Sequence, residues 1–340
     1  MDVYLSTHWN RLLEKFDDSQ KDIYFYEEYV KMYEDAASEA FCAVCEEGGS
    51  IVLMPFLRRA VNDYFDFETA YGYGGPISNT DDEVWIHEAI AAIGKYLLAQ
   101  KYICGFVRFH PLLGNAAHCS GCFDVLFDRA TVCINTESTA EEIWTGQITS
   151  KNRNMIRKAE KNGLVYQAEY DFGSLKEFIA LYNATMERLH AEKFYFFDDS
   201  YYEEFVRRFT GKAFLGTVRK DDRLICAALF MYSPKYGHYH LEGSDHAYSG
   251  LGANNLLLWK TALEFHSQNV KEFHLGGGYD SSEDNSLLKF KKAFSHDYRD
   301  FYIGKWMFNR EKYEEIRDAW SKCNPEKEKQ YGKLLLCYRY

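Results

Sequence analysis

The chain has 340 residues, of which 46% are hydrophobic and 17% aromatic, and its formal net charge at pH 7 is −11. This length suits two domains with separate cores, and the hydrophobic content excludes disorder over most of the chain. The negative charge argues against a general nucleic-acid binder. No apolar run is long enough for a membrane span, the first residues do not form a signal peptide, and the nine cysteines are an odd number. We therefore expect a cytoplasmic protein.

A β-hairpin is predicted twice along the chain. Residues Ala40–Leu53 consist of an apolar run, a turn of charged and glycine residues, and a second apolar run. Residues Ala213–Cys226 repeat this pattern without a gap. Each copy is typical of a strand, a turn and a second strand, and the repetition indicates a duplicated structure.

The elements that follow the two hairpins also agree in type and order. In the first copy they are a strand ending at Tyr71–Pro76, a helix over about Asp82–Gln100, and strands over Gly105–His110 and Phe123–Ile134. In the second copy they are a strand ending at Tyr239–Ser244, a helix over about Ala253–Asn269, and strands over Val270–His274 and Asp297–Phe308. Chance similarity of two hairpins would not extend to this order. We predict two homologous domains, each with an α/β fold built on a mixed β-sheet.

A single basic segment lies between the two copies. Residues Ser150–Gly163 carry five basic side chains against one acid, with Ser150 as the expected N-cap and Gly163 as the stop of one helix. Arg153, Arg157 and Lys161 are spaced by four residues and share a face. A solvated helix face is the simplest interpretation. In an acidic protein the same stripe also suits a phosphate or diphosphate.

Two sequence features, the paired cysteines and a triple glycine, are only weak indications of a metal or nucleotide site. The pairs Cys42/Cys45 and Cys119/Cys122 are too far apart in sequence for a zinc ribbon, so we predict no metal site. The loop Gly276-Gly277-Gly278 lacks the Gly-Lys-Ser/Thr ending of a P-loop and the spacing of a dinucleotide-binding fingerprint. It indicates close approach of the backbone to a ligand or to a neighbouring segment.

Alternating polar residues give candidates for acid–base chemistry. His238, His240 and Glu242 are expected on one face of a strand, and Tyr239, Leu241 and Gly243 on the other. An imidazole and a carboxylate in a cleft could assist proton transfer, although a half-exposed strand with a polar face explains them equally well. Arg108 and His110 share a face near the end of their own strand in the same way.

Taken together, these segments resemble the Fem family of peptidoglycan-bridge aminoacyltransferases and their wider relatives with a tandem acetyltransferase fold. The matching stretches are Tyr71–Pro76, Val107–Asn115, Ser150–Gly163, Thr185–Phe197, Tyr239–Leu258 and Phe273–Phe294. They follow the family's order over most of the chain. The pair Phe290-Lys291 is the most specific of these matches.

The resemblance implies two tandem GNAT (acetyltransferase-fold) domains, over residues 1–147 and 148–310, with a segment 311–340 that packs back on the first domain. The helical-arm insertion of staphylococcal-type members has no room between Ser150 and Phe308. Such enzymes move an amino acid from aminoacyl-tRNA to an amine of a UDP-linked or lipid-linked muropeptide, without a metal or a dissociable cofactor. We expect a monomer without a membrane-spanning segment, acting in the cytoplasm or at the inner face of the membrane.

The resemblance also implies roles for individual residues. Lys291 matches the family's lysine that stabilises the developing negative charge on the carbonyl oxygen, and Phe290 shapes the same pocket. No catalytic acid is matched with equal certainty, and Glu242, Asp245 and His110 are the candidates. The residues expected to bind substrate are Tyr71, Tyr73, Gly75, Arg108, His110, Arg153, Arg157, Arg188, Tyr195, Tyr239, His240, Gly276, Gly277 and Gly278.

Two alternatives remain open at the level of sequence. The first is an acyl-CoA-dependent N-acyltransferase, in which acetyl-CoA or another acyl-CoA is the donor. Its pyrophosphate loop would be Ala247–Gly252, which has the two glycines of the usual motif but alanine at its first position. The second is a binding protein that has the fold without the activity. A blocked cleft around Lys291 would favour this last alternative.

Overall fold

The computed structural model describes residues 1–280, 282 and 285–340. Residues 281, 283 and 284, which fall in the stretch Phe273–Phe294 of the resemblance, lie outside the described part. The chain forms two compact units, unit 1 with residues 1–128 and 300–340, and unit 2 with residues 129–299. The boundaries at 147/148 and 310/311 stay predictions. Among the described residues, no helix combines the length and the apolar character needed to span a bilayer.

The described residues form strands and helices in alternation. The strands are β1 (Asp2–Ser6), β2 (Ser38–Glu47), β3 (Ser50–Val61), β4 (Tyr64–Glu68), β5 (Ile77–Ser78), β6 (Tyr102–Arg108), β7 (Asp124–Asn135), β8 (Val165–Glu169), β9 (Ala213–Lys220), β10 (Arg223–Tyr232), β11 (Tyr236–Ser244), β12 (Glu272–Gly277) and β13 (Asp297–Met307). The helices are α1 (Asn10–Leu13), α2 (Glu27–Val30), α3 (Glu83–Ala99), α4 (Ala140–Glu142), α5 (Ser150–Lys161), α6 (Leu175–Arg188), α7 (Asp199–Phe209), α8 (Ala253–Ser267), α9 (Ser286–Lys292), α10 (Arg310–Cys323) and α11 (Pro325–Tyr331).

Unit 1 is a mixed sheet covered by helix α3. The strand order is β1-β2-β3-β4-β6-β13, in which only β4 and β6 run parallel. Helix α3 begins after Asp82, whose side chain accepts a hydrogen bond from the Trp85 amide. Its buried residues recur at helical spacing and pack on the sheet, namely Ile86, Ala89, Ile90, Ile93 and Leu97.

The last residues of the chain pack within unit 1. Tyr313 on α10 shares a small core with Ile103 of strand β6. The Arg339 guanidinium pairs with the carboxylates of Asp66 and Glu68 on β4, and the side chain of Asp66 is fully buried. A buried carboxylate needs such a partner because its charge is poorly solvated there.

Unit 2 repeats the plan of unit 1. Its strand order is β8-β9-β10-β11-β12-β7, again with a single parallel pair, β11 with β12. Both predicted hairpins are confirmed, as β2–β3 and β9–β10. Helix α8 corresponds to α3 and is buried on most sides in the core of the unit. Among the described residues of unit 2, no helix exceeds the 15 residues of α8, so none forms a long helical arm.

The basic helix forms as predicted with one correction at its start. Helix α5 spans Ser150–Lys161, and its N-cap is Thr149 instead of Ser150, because the Thr149 side chain accepts from the Asn152 amide. The helix ends at Asn162, and Gly163 follows with a positive φ of 73°, which suits the predicted stop.

Candidate active site

A β-bulge in strand β11 sets the geometry of the site. The register pairs Leu241 with Leu229 and Tyr239 with Phe230, so His240 is an extra residue without a partner on β10. The extra residue reverses the alternation of side chains. Tyr239 and Glu242 consequently border the same cavity, whereas His240 packs on helix α7. The prediction that His240 and Glu242 share a face opposite Tyr239 is therefore wrong.

The cavity lies in unit 2 beyond the paired part of two parallel strands. The pairing of β11 with β12 extends only to His238 and His274. Beyond that point a cavity of about 340 Å³ opens, which is the size of a small-molecule site. Its lining residues are Arg188, Tyr239, Glu242, Ser244, His246, Ser249, Gly252, Ala253, Asn254, Asn255, Leu287 and Phe290.

The amino end of helix α8 faces this cavity. Gly252 precedes the helix with φ of +81°, and a Cβ at this position would lie 2.7 Å from the carbonyl oxygen of Met155. Only glycine fits this combination of conformation and close approach. Among the described residues no side chain caps the helix, and Ala253, Asn254 and Asn255 line the cavity. Backbone amides at such an end suit an anionic group of a ligand.

Glu242 is the acidic residue of the cavity wall. It is half-buried, and its Oε1 accepts hydrogen bonds from Asn254 Nδ2 at 2.9 Å and from Cys226 Sγ at 3.8 Å. Burial raises the pKa of this carboxyl, against the opposing effect of hydrogen bonds from Ser244 and Asn254. The raised pKa reflects the cost of holding a carboxylate away from water.

Lys291 lies next to the cavity and is buried. Its side chain is on helix α9, and its Nζ donates to the Gly277 carbonyl at 2.7 Å. Nζ is 5.7 Å from the centroid of the Tyr239 ring, which lines the cavity. Burial lowers the Lys291 pKa to about 7, and the nearby Glu242 carboxylate partly opposes this shift. Both the ammonium and the neutral amine are therefore populated near neutral pH.

Several polar residues that sequence reasoning missed hold helix α9 in place. Asn285 caps the helix by accepting from the Leu288 amide at 3.1 Å. At the other end, the Ala293 carbonyl accepts from Asn152 Nδ2 at 3.2 Å, and Asn255 donates to the Asn152 Oδ1. Asparagines with these roles carry no pattern of their own in a single sequence. The only signal was that Asn152, Asn255 and Asn285 each lie within one of the stretches matched to the family.

The glycines Gly276–Gly278 allow neighbouring segments of the chain to pack closely against this loop. A Cβ on Gly277 would lie 2.9 Å from the Ala130 carbonyl oxygen, and one on Gly278 would lie 2.4 Å from the Asn285 side chain. Gly276 has φ of +71°. None of the three lines the cavity. The loop was predicted to approach either a ligand or a neighbouring segment of the chain. The contacts of the described residues are with a neighbouring segment.

Other candidates in unit 2 have partners outside the cavity. His240 Nε2 is hydrogen-bonded to the Tyr201 hydroxyl at 2.8 Å. Burial lowers the pKa of His240 to about 3. Asp245 pairs with Arg223 at 2.8 Å and caps the short helical turn that follows it. Tyr195 is partly exposed in the segment between α6 and α7 and does not line the cavity, in contrast to Arg188.

The two arginines of helix α5 differ in their surroundings. Arg153 Nη1 donates to the carbonyls of Trp144, Thr145 and Ile148 at 3.0, 3.1 and 2.9 Å. It therefore ties α5 to the turn before it. Arg157 is exposed, lies over the Trp144 ring, and bonds to Asn154. Arg157 is thus the more accessible of the two for an anion.

The candidates in unit 1 include a buried histidine, His110. His110 Nε2 is 2.8 Å from Asp22 Oδ2, and both side chains are fully buried. The Leu113 amide donates to His110 Nδ1, so Nε2 carries the proton and donates to Asp22. Tyr73 contacts the His110 ring edge to face at 5.7 Å. Tyr71 is half-buried, and its carbonyl accepts from the Tyr29 hydroxyl at 2.7 Å.

Two further residues of unit 1 have structural contacts. Arg108 bonds to the Glu68 carboxylate and to the Thr69 carbonyl. Gly75 has φ of +90°, and a Cβ there would lie 2.8 Å from the Phe109 ring. The backbone conformation and the close packing at Gly75 therefore explain the glycine without a role in substrate binding.

Comparison with known proteins agrees with this architecture. Residues 149–292 match the acetyltransferase (GNAT) domain family. A crystal structure of FemX is 14% identical, with 93% of this chain and all of that chain covered at a TM-score of 0.73. No curated protein matches the sequence.

Two other solved structures have the same fold at lower similarity. One is the C-terminal domain of a putative lysylphosphatidylglycerol synthetase from Agrobacterium fabrum, 14% identical, with 90% of this chain and 94% of that chain covered and a TM-score of 0.57. The other is a conserved protein of unknown function from Bacteroides thetaiotaomicron, 12% identical, with 90% and 100% covered and a TM-score of 0.58.

The fold and the domain match define the class of the protein. It has a tandem GNAT fold built on a mixed β-sheet. Residues 149–292, within the second unit, match the acetyltransferase domain family, and the protein is accordingly classed as an acyltransferase. Within this class, the structural similarity to FemX confirms the predicted resemblance to Fem-like tandem GNAT proteins at the level of the fold.

Proposed function

We propose that the chain is an aminoacyltransferase that moves an amino acid from aminoacyl-tRNA to an amine of a peptidoglycan precursor. The observation that carries the proposal is the cavity at the bulge of β11, with Lys291 beside it and the amino end of α8 at its wall. Lys291 belongs to the Phe-Lys pair on which the Fem resemblance is most specific. The Agrobacterium neighbour, whose name joins a lysyl group to a phospholipid, is a second reason to consider an aminoacyl donor.

The reaction forms one bond and breaks one. The acceptor nitrogen attacks the carbonyl carbon of the aminoacyl ester, the C–N bond forms, and the C–O bond to the ribose breaks. The nitrogen loses a proton, and the ribose oxygen gains one. An ester is already activated, so positioning supplies much of the rate. In its protonated form Lys291 would stabilise the negative charge that develops on the carbonyl oxygen.

Acyl-CoA is the alternative donor, and the end of helix α8 is the observation that favours it. Gly252 and the uncapped amides of α8 could hold a pyrophosphate, as the predicted loop Ala247–Gly252 requires. The terminal nucleotides of a tRNA also carry phosphate, so these amides do not distinguish the two donors. The acceptor and the donor must be determined together.

The test is a transfer assay in which UDP-linked pentapeptide is paired with charged tRNA or with acetyl-CoA. Turnover with charged tRNA alone supports the proposal, and turnover with acetyl-CoA alone overturns it. The Lys291→Met variant should lose transfer. The matched control is Lys289→Met, which removes an exposed lysine from the same helix and should retain activity. Wild-type turnover in Lys291→Met would contradict the role of this lysine.

A further inference from the structure

Glu242 is a carboxylate inside the cavity whose partners are neutral. Its hydrogen bonds come from Asn254, Cys226 and Ser244. Among the described residues, no lysine, arginine or histidine lies within ion-pair distance of its oxygens, and Arg188 and Lys291 act on it only at longer range. The carboxylate therefore lines the cavity without an ion-pair partner among the described side chains.

A carboxylate in this position carries an energetic cost. A half-buried carboxylate loses hydration, and burial raises the Glu242 pKa for this reason. A cationic ligand group would restore the lost interaction. The cavity thus has an anionic position for a cation beside the anion-binding amides at the end of helix α8.

The two candidate donors differ in the group that would meet this position. An aminoacyl ester has a cationic α-amino group on the carbon next to its carbonyl. The acyl and pantetheine parts of acetyl-CoA carry no cation, and its phosphates are anionic. We propose that the Glu242 carboxylate binds the α-ammonium group of an aminoacyl donor and so selects this donor class over acyl-CoA. The proposal rests on acyl transfer at the cavity of unit 2.

The placement of Lys291 is consistent with this selection. Lys291 Nζ lies over the ring of Tyr239, and Tyr239 and Glu242 line the same cavity. In an aminoacyl ester the carbonyl oxygen and the α-nitrogen are attached to adjacent carbons. A site for this ester therefore needs an anionic side chain for the α-ammonium group close to a cationic side chain for the carbonyl oxygen.

A matched pair of probes isolates the α-ammonium group. We would use the alanyl amide of aminodeoxyadenosine, which imitates the aminoacylated end of tRNA, and its lactyl counterpart, in which a hydroxyl replaces the ammonium. Binding is measured by calorimetry, with acetyl-CoA as a third ligand. We expect the alanyl probe to bind about tenfold to a hundredfold more tightly than the lactyl probe.

Variants assign this preference to Glu242. In Glu242→Gln the carboxamide keeps a hydrogen-bonding side chain of the same size, and the alanyl preference should fall to about twofold or less. Glu203→Gln removes an exposed acid from α7 of the same unit and should keep the full preference. The wild-type comparison remains valid even if Glu242→Gln folds poorly, which its melting curve would show.

Each other outcome has a definite meaning. Equal affinity of the wild-type protein for the alanyl and lactyl probes overturns the inference and leaves aminoacyl transfer standing. Binding of acetyl-CoA without saturable binding of either probe overturns the aminoacyl donor and the inference together. If Glu242→Gln lowers turnover while the alanyl preference is unchanged, Glu242 is a general base, and the inference is wrong.

Discussion

Replacing Lys291 by methionine should stabilise the protein at neutral pH and abolish its activity. The folded pKa of Lys291 is about 7 against an ordinary value of 10.5. Each pKa unit corresponds to about 1.4 kcal/mol, so holding this ammonium in the folded protein at pH 7 costs about 4 kcal/mol. Methionine avoids the cost but leaves the Gly277 carbonyl without its donor, a loss of about 1–2 kcal/mol. The net expectation is a gain of about 2–3 kcal/mol.

The dependence of this gain on pH gives a stringent test. The unfolded chain binds the Lys291 proton more tightly than the folded protein, so the cost is full below pH 7 and disappears as the pH approaches 10.5. At pH 10 only about 1 kcal/mol of the cost remains, and the loss of the Gly277 hydrogen bond offsets it, so the gain should disappear or become a small loss. Unit 2 has about 170 residues, for which about 2–3 kcal/mol corresponds to an increase of about 5–10 °C in Tm.

The assay is a pair of melting curves for wild type and Lys291→Met at pH 7 and pH 10, with Lys289→Met as control. The control should change Tm little at either pH, because the Lys289 side chain is exposed in the folded protein. A gain in Lys291→Met that is the same at both pH values would refute the reasoning, since the cause would then be packing and not charge. A lower Tm at pH 7 would refute it as well.

Three other predictions follow from particular contacts. If the Lys291 ammonium stabilises the carbonyl oxygen, kcat/KM should fall as pH rises through about 7, and a rise over that range would mean that the neutral amine acts as a base. Arg339→Met should destabilise unit 1 by about 3–5 kcal/mol in urea unfolding, because Asp66 keeps a buried charge without a partner, and an unchanged midpoint would contradict this. Gly252→Ala should lower Tm and weaken donor binding, since its φ and the Met155 carbonyl leave no room for a Cβ, whereas Gly146→Ala, with open space around it, should do neither.

The architecture could be predicted from the sequence because its strands and helices follow from patterns of apolar residues that extend over a few positions. Two hairpins of the same apolar pattern, in Ala40–Leu53 and Ala213–Cys226, predicted the repeated sheet. Helix α5 could be placed to within one residue at its start, where Thr149 and Ser150 are both good N-caps and the structure uses Thr149. Local chemistry alone does not choose between adjacent caps.

The side chains that form the cavity depended on the tertiary structure. Strict alternation assigned His240 and Glu242 to one face, and a single extra residue at the bulge reversed that assignment. A bulge is decided by how β10 and β11 pair, and pairing between strands leaves no local signal at His240. The roles of the triple glycine and of Arg153 were likewise decided by neighbours distant in sequence.

By itself, the sequence determined the mixed α/β class, the duplication and the two hairpins, because strand and helix periodicity act over a few residues. Only the tertiary structure decided that Glu242 and Tyr239 share one cavity and that Lys291 is buried with a pKa of about 7. The ionisation of a side chain depends on the desolvation and charges around it. Those surroundings are assembled from segments that are far apart in the chain.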